Sequence, residues 1–358
     1  MTLRRVFAAL ALAGLLVAGL AYAAFNYFLI QPTPPFTAPR MVTIEKGEHF
    51  GAITRSLAAA GVVRSALAVR LYAEFSGGAR AVKPGDYAFN GNERIADVMR
   101  HLVNGDFIVV TVVVPEGLTV HEIAERVAAA GLVCQGEFER AARDGPVVRA
   151  LGLWPPGAEG FLFPATYKFS PRAKMNDVLE AMLARFYSVL TPKVEQRMFE
   201  MGLDARQVLT MASIVEKEAK VPGERPLIAG VFYNRLRVGM PLQSDPTAEY
   251  SFEGGTEPAA AAVRSNSTFN TYAFAGLPPG PIANPGRKSI EAALYPAHTE
   301  FLYFVARNDG THVFSRSLKE QDHNIAAVRK PALQFQADGA RQKPAASAAR
   351  TVESNHAK

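Results

Sequence analysis

The N-terminal segment is the feature that most restricts the fold of this chain. Residues 6–30 are almost wholly apolar, and Asn26 is the one clearly polar interruption. A helix needs about 20 apolar residues to cross the hydrocarbon core of a membrane. Arg4 and Arg5 precede the run, and positively charged flanks stay in the cytoplasm. We therefore predict a cytoplasmic tail at residues 1–5 and a transmembrane anchor at residues 6–30, with everything after the anchor translocated.

A cleaved signal peptide is the alternative for this segment, because Ala21-Tyr22-Ala23 offers a small-x-small cleavage pattern. The apolar run continues beyond that site to Ile30, which favours a retained anchor. The sequence thus predicts a single-pass protein of the inner (plasma) membrane whose C-terminal domains are periplasmic or extracytoplasmic. Chemistry that needs a cytosolic cofactor is not expected there, and we predict no cofactor.

Composition excludes several other classes. The chain of 358 residues has room for two or three domains. Its net charge of +6 comes without a dense Lys/Arg block with interleaved aromatic residues, so no nucleic-acid partner is predicted. Histidines are scattered and lack a cysteine partner at ligand spacing, so no metal site is predicted. The one cysteine, Cys134, cannot form an internal disulfide, and its apolar surroundings predict a buried thiol.

The two ends of the translocated part have distinctive compositions. Residues 31–40 begin with Gln-Pro-Thr-Pro-Pro, which predicts an extended, semi-rigid spacer. Residues 336–358 are rich in Ala, Lys, Arg and Ser with few large apolar side chains, which predicts a disordered tail.

An internal repeat follows the spacer. Residues 42–63 and 112–133 share one pattern, and matched positions are 70 residues apart. Each copy predicts a short strand, a glycine turn, an amphipathic helix and a glycine at the helix end. Ile53 and Leu57 are four residues apart, as are their counterparts in the second copy, so each helix should bury one face.

A strand–helix unit of this kind resembles the LysM-type modules that bind peptidoglycan sugars. We assign residues 41–157 to such a module or modules; a purely structural spacer is the alternative. Between the copies, residues 83–87 predict a turn into another strand, and the β-branched run at residues 107–114 predicts a central strand.

The most informative helix is predicted at residues 206–220. Asp204 can cap its start, and Pro222-Gly223 can end it. Its apolar positions form one broad stripe, which predicts a mostly buried helix. The members of that stripe are Val208, Leu209, Met211, Ala212, Ile214, Val215 and Ala219.

Two carboxylates interrupt this stripe. Glu216 and Glu218 are two residues apart and therefore point about 200° away from each other. Ile214 and Val215 precede Glu218 by one turn, so desolvation should raise its pKa, as a general acid requires. Glu216 has Lys220 four residues later, which predicts an ionised, exposed ion pair. From this helix alone, surface salt bridging is the alternative for both carboxylates.

Polar motifs follow the helix and suit a sugar polymer, since amides bond hydroxyls and aromatic rings stack on sugar faces. A second helix carries Asn234 and Arg235, and a Pro/Gly-rich loop at residues 276–286 can form a cleft wall. Plain turn chemistry is the alternative for the loop and for residues 242–247. The candidate substrate-binding residues are Asn234, Arg235, Gln243, Ser244, Asp245, Thr247 and Tyr272.

Taken together, these motifs resemble the MltG/YceG-like family of endolytic murein transglycosylases. The match runs from the anchor to about Pro331. Its most specific parts are residues 212–218, 232–236, 242–247, 270–272 and 276–282, with residues 159–167 upstream in support. Near the C-terminus, Lys319 to Asn324 resemble the final family motif, but the spacing before His323 and Asn324 is altered, which leaves the roles of these two residues open.

The resemblance implies an α+β fold, in which a transmembrane helix and a LysM-like strand–helix repeat module precede a mixed α/β catalytic domain at residues 158–335. It also implies cleavage of the β-1,4 bond between N-acetylmuramic acid and N-acetylglucosamine in nascent peptidoglycan strands. Glu218 would be the general acid/base, and the product would carry a 1,6-anhydro end. Glycan strands, the membrane and nearby penicillin-binding proteins are the implied partners. A non-catalytic anchored peptidoglycan-binding protein and a two-carboxylate hydrolase that uses Asp245 are the alternatives.

Overall fold

The computed structural model describes residues 3–153, 157–250 and 259–341. The chain divides into two compact units. The first comprises Met1–Val113, Arg126–Cys134 and Thr166–Val178, and the second comprises Val114–Glu125, Gln135–Ala165 and Leu179–Lys358. Of the predicted tail, residues 336–341 belong to the last helix, and residues 342–358 lie outside the described residues.

The first unit begins with the predicted apolar helix. Helix α1 (Leu3–Phe25) continues into a π-helical turn at Asn26–Ile30. The segment Ala11–Ile30 is long and apolar enough to cross a membrane, and none of it is buried. Both observations fit the predicted anchor.

The remaining elements are short. The other helices are α2 (Phe50–Ala59), α3 (Ala66–Ser76), α4 (Ile95–Asn104), α5 (Val120–Ala129), α6 (Gln135–Asp144), α7 (Pro146–Ala150), α8 (Met175–Tyr187), α9 (Pro192–Met201), α10 (Ala205–Glu218), α11 (Arg225–Arg237), α12 (Asp245–Glu249), α13 (Ala259–Ala262), α14 (Arg287–Leu294) and α15 (Leu318–Arg341). The strands are β1 (Arg40–Ile44), β2 (Gly85–Phe89), β3 (Val110–Val114), β4 (Ala165–Phe169), β5 (Tyr303–Ala306) and β6 (His312–Ser315). This mixture of helices and small sheets agrees with the predicted α+β class.

The secondary structure confirms the internal repeat. Strands β1 and β3 are displaced by 70 residues, and so are helices α2 and α5. The turn glycines Gly47 and Gly117 have φ of +82° and +81°, a conformation that favours glycine in both copies. The likeness to LysM modules remains a prediction.

Each repeat strand pairs with one other strand. Strand β1 pairs antiparallel with β2, so that Val42 lies opposite Tyr87, and β3 pairs with β4. The prediction of a central strand at residues 107–114 is therefore wrong, because the strand begins at Val110 and its sheet has two strands. A β-branched run predicts extended backbone but does not determine the number of neighbouring strands.

The core of the first unit forms where helices cover the β1–β2 pair. Ile53 and Leu57 are both buried, as the four-residue spacing predicts. Ser65 caps α3 by accepting a hydrogen bond from the backbone N–H of Ala68. The largest fully buried side chains of this core are Tyr87, Phe89, Leu57 and Leu102.

Helix α10 is the centre of the second unit. Asp204 and Gln207 form a capping box at its start, which confirms the predicted cap. Every residue from Val208 to Val215 is buried, and α10 packs against α11 and α14. Strands β5 and β6 form an antiparallel pair on which α15 packs.

Two local expectations need correction. The sequence suggests a polar turn at residues 242–247, but Asp245 to Thr247 begin the short helix α12, because Pro246 presets helical backbone angles. Cys134 is exposed, not buried. It immediately precedes α6, at the end of the loop after α5, so its apolar neighbours in the sequence do not enclose it.

Candidate active site

Glu218 is the last residue of α10, and this position determines its surroundings. The helix before it is buried, whereas the Glu218 side chain is partly accessible. The hydroxyl of Ser244, which is 1% exposed, donates a hydrogen bond of 2.6 Å to Glu218 Oε1. A buried helix thus ends in a carboxyl group that a fixed hydroxyl orients.

The electrostatic surroundings favour the protonated form of Glu218. Burial raises the pKa of the Glu218 carboxyl above its usual value, and the charges of Asp245 and Glu249 raise it further. The hydrogen bond from Ser244 and the nearby His312 lower the pKa without cancelling the effect of burial. This direction agrees with the expectation from the apolar flank of the helix.

Ser244 is held by two buried threonines. Thr247 Oγ1 donates to the Ser244 carbonyl at 2.7 Å, and the Ser244 N–H donates to Thr271 Oγ1 at 3.1 Å. The two threonine hydroxyls are themselves 2.7 Å apart. This network fixes the backbone of Ser244, so that its hydroxyl reaches Glu218. Thr271 is not among the predicted site residues, although it lies beside Tyr272 in the motif at residues 270–272.

Three predicted residues lie on the accessible side near Ser244. The Tyr272 hydroxyl donates to Asp245 Oδ1 at 2.6 Å, and Asp245 is exposed. Gln243 is exposed and has φ of +50°, an uncommon conformation for a residue other than glycine. Backbone strain of this kind is concentrated at functional sites. Because Gln243 and Asp245 are exposed and Tyr272 is partly exposed, these three are the candidates most available to a ligand.

Asn234 and Arg235 have different surroundings from those expected. The Asn234 amide donates to the carbonyls of Thr299 and Phe301 at 2.8 and 2.9 Å. Arg235 donates to the carbonyls of Leu302 and Leu242 at 2.6 and 2.8 Å, and both side chains are buried. Arg235 Nη1 also donates to Gln243 Oε1 at 3.5 Å. Because these hydrogen bonds go mainly to backbone carbonyls, both residues hold segments around the site, and a role in substrate binding stays a prediction.

The expected exposed pair between Glu216 and Lys220 is wrong. Glu216 forms an ion pair of 3.0 Å with Arg225, and its side chain is 7% exposed. It also accepts a hydrogen bond of 2.9 Å from the N–H of Gly286. Helical spacing identified Lys220 as a neighbour, but the chain after α10 folds back and brings Arg225 closer.

Glu159 is a second buried carboxyl, and it was not predicted as a functional residue. It accepts hydrogen bonds from the Val120 N–H at 3.0 Å, the Asn284 amide at 2.8 Å and the Tyr250 hydroxyl at 3.1 Å. Asn284 also donates to the carbonyl of Leu118. Glu159 therefore ties the loop at residues 276–286 to the start of α5. Residues 159–167 belong to a motif that supports the family resemblance, but nothing in the sequence identifies the partners of Glu159.

The stability of the second unit should depend on the protonation of Glu159. Burial raises the pKa of Glu159 from 4.5 to about 7, despite its three donors. Because the pKa of Glu159 is higher in the folded state, the protonated carboxyl contributes stability that is fully present below about pH 4.5. This contribution is lost as the pH rises from there through about 7. The shift corresponds to roughly 3 kcal/mol at about 1.4 kcal/mol per pH unit.

Urea unfolding between about pH 4.5 and 7 should show this loss of stability, and Glu159→Gln should remove that part of the pH dependence. An identical slope in parent and variant would contradict the assignment.

The C-terminal motif lies on the β5–β6 pair. The Asn324 amide donates to Ser315 Oγ at 2.9 Å, and His323 is exposed. His312, in β6, lies 2.7 Å from Glu224 through Nδ1. Among the described residues, no group of three or more His, Cys, Asp or Glu side chains could hold a metal ion.

The chemistry available here is that of one partly buried carboxyl with a raised pKa. Hydroxyl and amide groups surround it, and its open side carries Gln243, Asp245 and Tyr272. Such a group can donate a proton near neutral pH and accept it back.

Comparison with known proteins identifies relatives of the whole chain. The chain is 33% identical to the endolytic murein transglycosylase of Bacillus subtilis over 305 residues, covering 80% of this chain and 83% of the relative. It is 29% identical to the enzyme of the same name from Streptococcus pneumoniae, of which it spans 57%. A crystal structure of a putative yceG-like protein from Listeria monocytogenes matches 80% of this chain and 99% of its own, with a TM-score of 0.56 and 29% identity.

These relatives place the protein in the lytic transglycosylase class of enzymes. A model of the YceG-like family matches residues 42–327. The chain therefore belongs to the YceG-like family.

Proposed function

We propose that this protein cleaves peptidoglycan strands internally, between N-acetylmuramic acid and N-acetylglucosamine, and leaves 1,6-anhydro ends. The observation that carries the proposal is the raised pKa of Glu218 together with its hydrogen bond to the buried Ser244. The names of the curated relatives, endolytic murein transglycosylase, support the substrate class.

In the proposed mechanism one carboxyl acts twice. Protonated Glu218 gives its proton to the glycosidic oxygen, and the bond from that oxygen to C1 of the muramyl sugar breaks. The C6 hydroxyl oxygen of the same sugar then bonds to C1, and the Glu218 carboxylate takes the hydroxyl proton. Water is not consumed, so the second carboxylate of ordinary glycosidases is not required. Gln243, Asp245 and Tyr272 would orient the substrate, and Ser244 would orient Glu218.

The N-terminal segment supports a proposal for the location of the reaction. We propose that α1 anchors the chain in the inner membrane and that the remainder lies outside the cytoplasm, where nascent strands are available. This position would place it close to the penicillin-binding proteins that synthesise those strands.

Mass spectrometry of digested sacculi tests the proposal directly. The expected products carry 1,6-anhydromuramic ends. Reducing ends would instead identify a hydrolase, and uncut strands would identify a binding protein. Digestion with the detergent-solubilised full chain is the relevant assay, since both units are then present.

Ser244→Ala should shift the pH dependence of cleavage. The Ser244 hydrogen bond lowers the pKa of Glu218, so its loss raises that pKa. Because Glu218 must be protonated to act, the decline of kcat at alkaline pH should move to higher pH. The control is Glu195→Gln, at an exposed glutamate of α9, which should leave the profile unchanged. A Ser244→Ala profile that matches the control would remove Ser244 from the site.

Asp245→Asn separates the proposed mechanism from the two-carboxylate hydrolase. The Asp245 charge raises the pKa of Glu218, so the alkaline decline should move to lower pH, opposite to the effect of Ser244→Ala. The rate at low pH should stay within about tenfold of the parent, the usual range for losing one hydrogen-bonding group. A loss of about 10²- to 10⁴-fold at every pH would instead assign Asp245 a catalytic role.

A further inference from the structure

The first unit carries an apolar surface that its own core does not use. Leu67, Leu71 and Phe75 follow one another at four-residue spacing on α3, so they lie along one face of this helix. Their exposed fractions are 63%, 49% and 91%. We call these three residues the α3 stripe. Single exposed apolar residues are ordinary, but a continuous line of large ones indicates a binding surface.

The α3 stripe is not a poorly packed part of the core. Helix α3 buries a different face, which carries Ala68, Val69 and Ala73, in the core of the first unit. The helix therefore has two apolar faces, of which the packing of the unit covers one. Burying the second face requires a partner outside this unit.

The position of α3 indicates which partner this is. Helix α3 packs against the π-helical turn Asn26–Ile30, which ends the candidate membrane span. Arg64, just before α3, donates to the carbonyls of Tyr27 at 3.0 Å, Gln31 at 2.7 Å and Pro32 at 2.8 Å. Its guanidinium also lies 4.6 Å from the centre of the Tyr27 ring. These contacts fix the start of α3 at the outer end of the span.

This tether limits how far the stripe can lie from the outer end of the span. A helix rises about 1.5 Å per residue, so the stripe lies within roughly 16 Å of Arg64 along α3. The polar interfacial region begins where the span ends. The exposed charged residues along and just after α3 are Glu74 and Arg80, whose charges have opposite signs. This part of the surface would therefore not be repelled by a membrane that carries anionic lipids.

We propose that α3 lies on the outer surface of the membrane, with Leu67, Leu71 and Phe75 inserted among the lipids. Amphipathic helices in this position bury their apolar face about 5–10 Å into the boundary between headgroups and acyl chains. The first unit would thus be held to the membrane at two places, α1 and the α3 stripe. This inference rests on the proposed anchor and does not depend on the proposed cleavage reaction.

Quenching by brominated lipids tests this position in the full chain. A Cys134→Ser background removes the one native cysteine, and an environment-sensitive fluorophore is attached at Phe75→Cys or Leu71→Cys. The protein is reconstituted in vesicles of phosphatidylethanolamine and phosphatidylglycerol, with or without bromine on the acyl chains. Two matched sites complete the set: Tyr22→Cys within α1, and Phe199→Cys, which is 82% exposed on α9 of the second unit.

The expected result is loss of fluorescence in brominated vesicles at positions 22, 71 and 75, with no loss at position 199. Quenching at position 22 but at neither 71 nor 75 would overturn the α3 proposal and leave the anchor intact. No quenching at position 22 would overturn the anchor and this inference together. The fluorophores at positions 71 and 75 could instead report an apolar environment that depends on protein concentration, without quenching by brominated lipids. That result would identify a second copy of the chain as the partner and would also overturn the proposal.

Discussion

Glu218→Gln is expected to reduce the release of anhydro ends by about 10²- to 10⁴-fold, the usual contribution of a general acid. Glutamine has nearly the same shape as glutamic acid and can still accept the 2.6 Å hydrogen bond from Ser244. It cannot donate a proton to the glycosidic oxygen. The fold should therefore survive the substitution while bond cleavage is lost.

Three measurements make this result interpretable. The thermal unfolding midpoint of Glu218→Gln should equal or exceed that of the parent, since the substitution removes a partly buried group whose charged form is disfavoured. Binding to purified glycan strands should be retained. The exposed control Glu195→Gln should cleave like the parent. Full cleavage by a folded Glu218→Gln protein would rule out Glu218 as the acid.

Arg225→Met is expected to destabilise the second unit by about 3–5 kcal/mol, the usual cost of breaking a buried ion pair by removing one partner. Glu216 would stay nearly enclosed without its cation, and Ser289 would lose the hydrogen bond that it accepts from Arg225 Nε at 2.9 Å. Urea unfolding, followed by circular dichroism, measures the difference.

Two variants complete the comparison for this pair. Adding Glu216→Gln to Arg225→Met removes the uncompensated charge, so the double variant should recover much of the lost stability. Arg100→Met breaks a surface pair with Asp97 in which Arg100 is 62% exposed, and this should cost about 1 kcal/mol or less. If Arg225→Met cost no more than Arg100→Met, Glu216 would belong to an exposed pair, as the sequence alone suggested.

The local features of this protein were predictable from its sequence. The repeat was predictable because strand and helix periodicities are local, and the 70-residue offset reappears in both elements. The burial of α10 and its cap were predictable for the same reason. The raised pKa of Glu218 was also predictable in direction, because one turn of helix places Ile214 and Val215 beside it. Its role as the acid stays a proposal.

What could not be predicted depends on contacts between distant parts of the chain. Helical spacing identifies the face on which Glu216 lies. It does not show that the chain after α10 folds back and places Arg225 in an ion pair with Glu216. Glu159 reaches Asn284, which is 125 residues away in the sequence. The positive φ of Gln243 likewise depends on its surroundings, because its N–H bonds the Thr271 carbonyl. Local pattern carries no information about such partners.

The link between α10 and the loop at residues 276–286 also determines the order in which the enzyme can form. Ser213 accepts a hydrogen bond from the Ile282 N–H, and Glu216 accepts one from the Gly286 N–H, across 69 and 70 residues. The entropy of closing so long a loop opposes folding until these contacts form. In the topology proposed above, α10 would leave the cytoplasm well before the segment that packs beside it. A chain interrupted before residue 286 would then be tethered to the membrane without the contacts that hold α10, so the proposed cleavage would begin only after nearly the whole chain had been delivered.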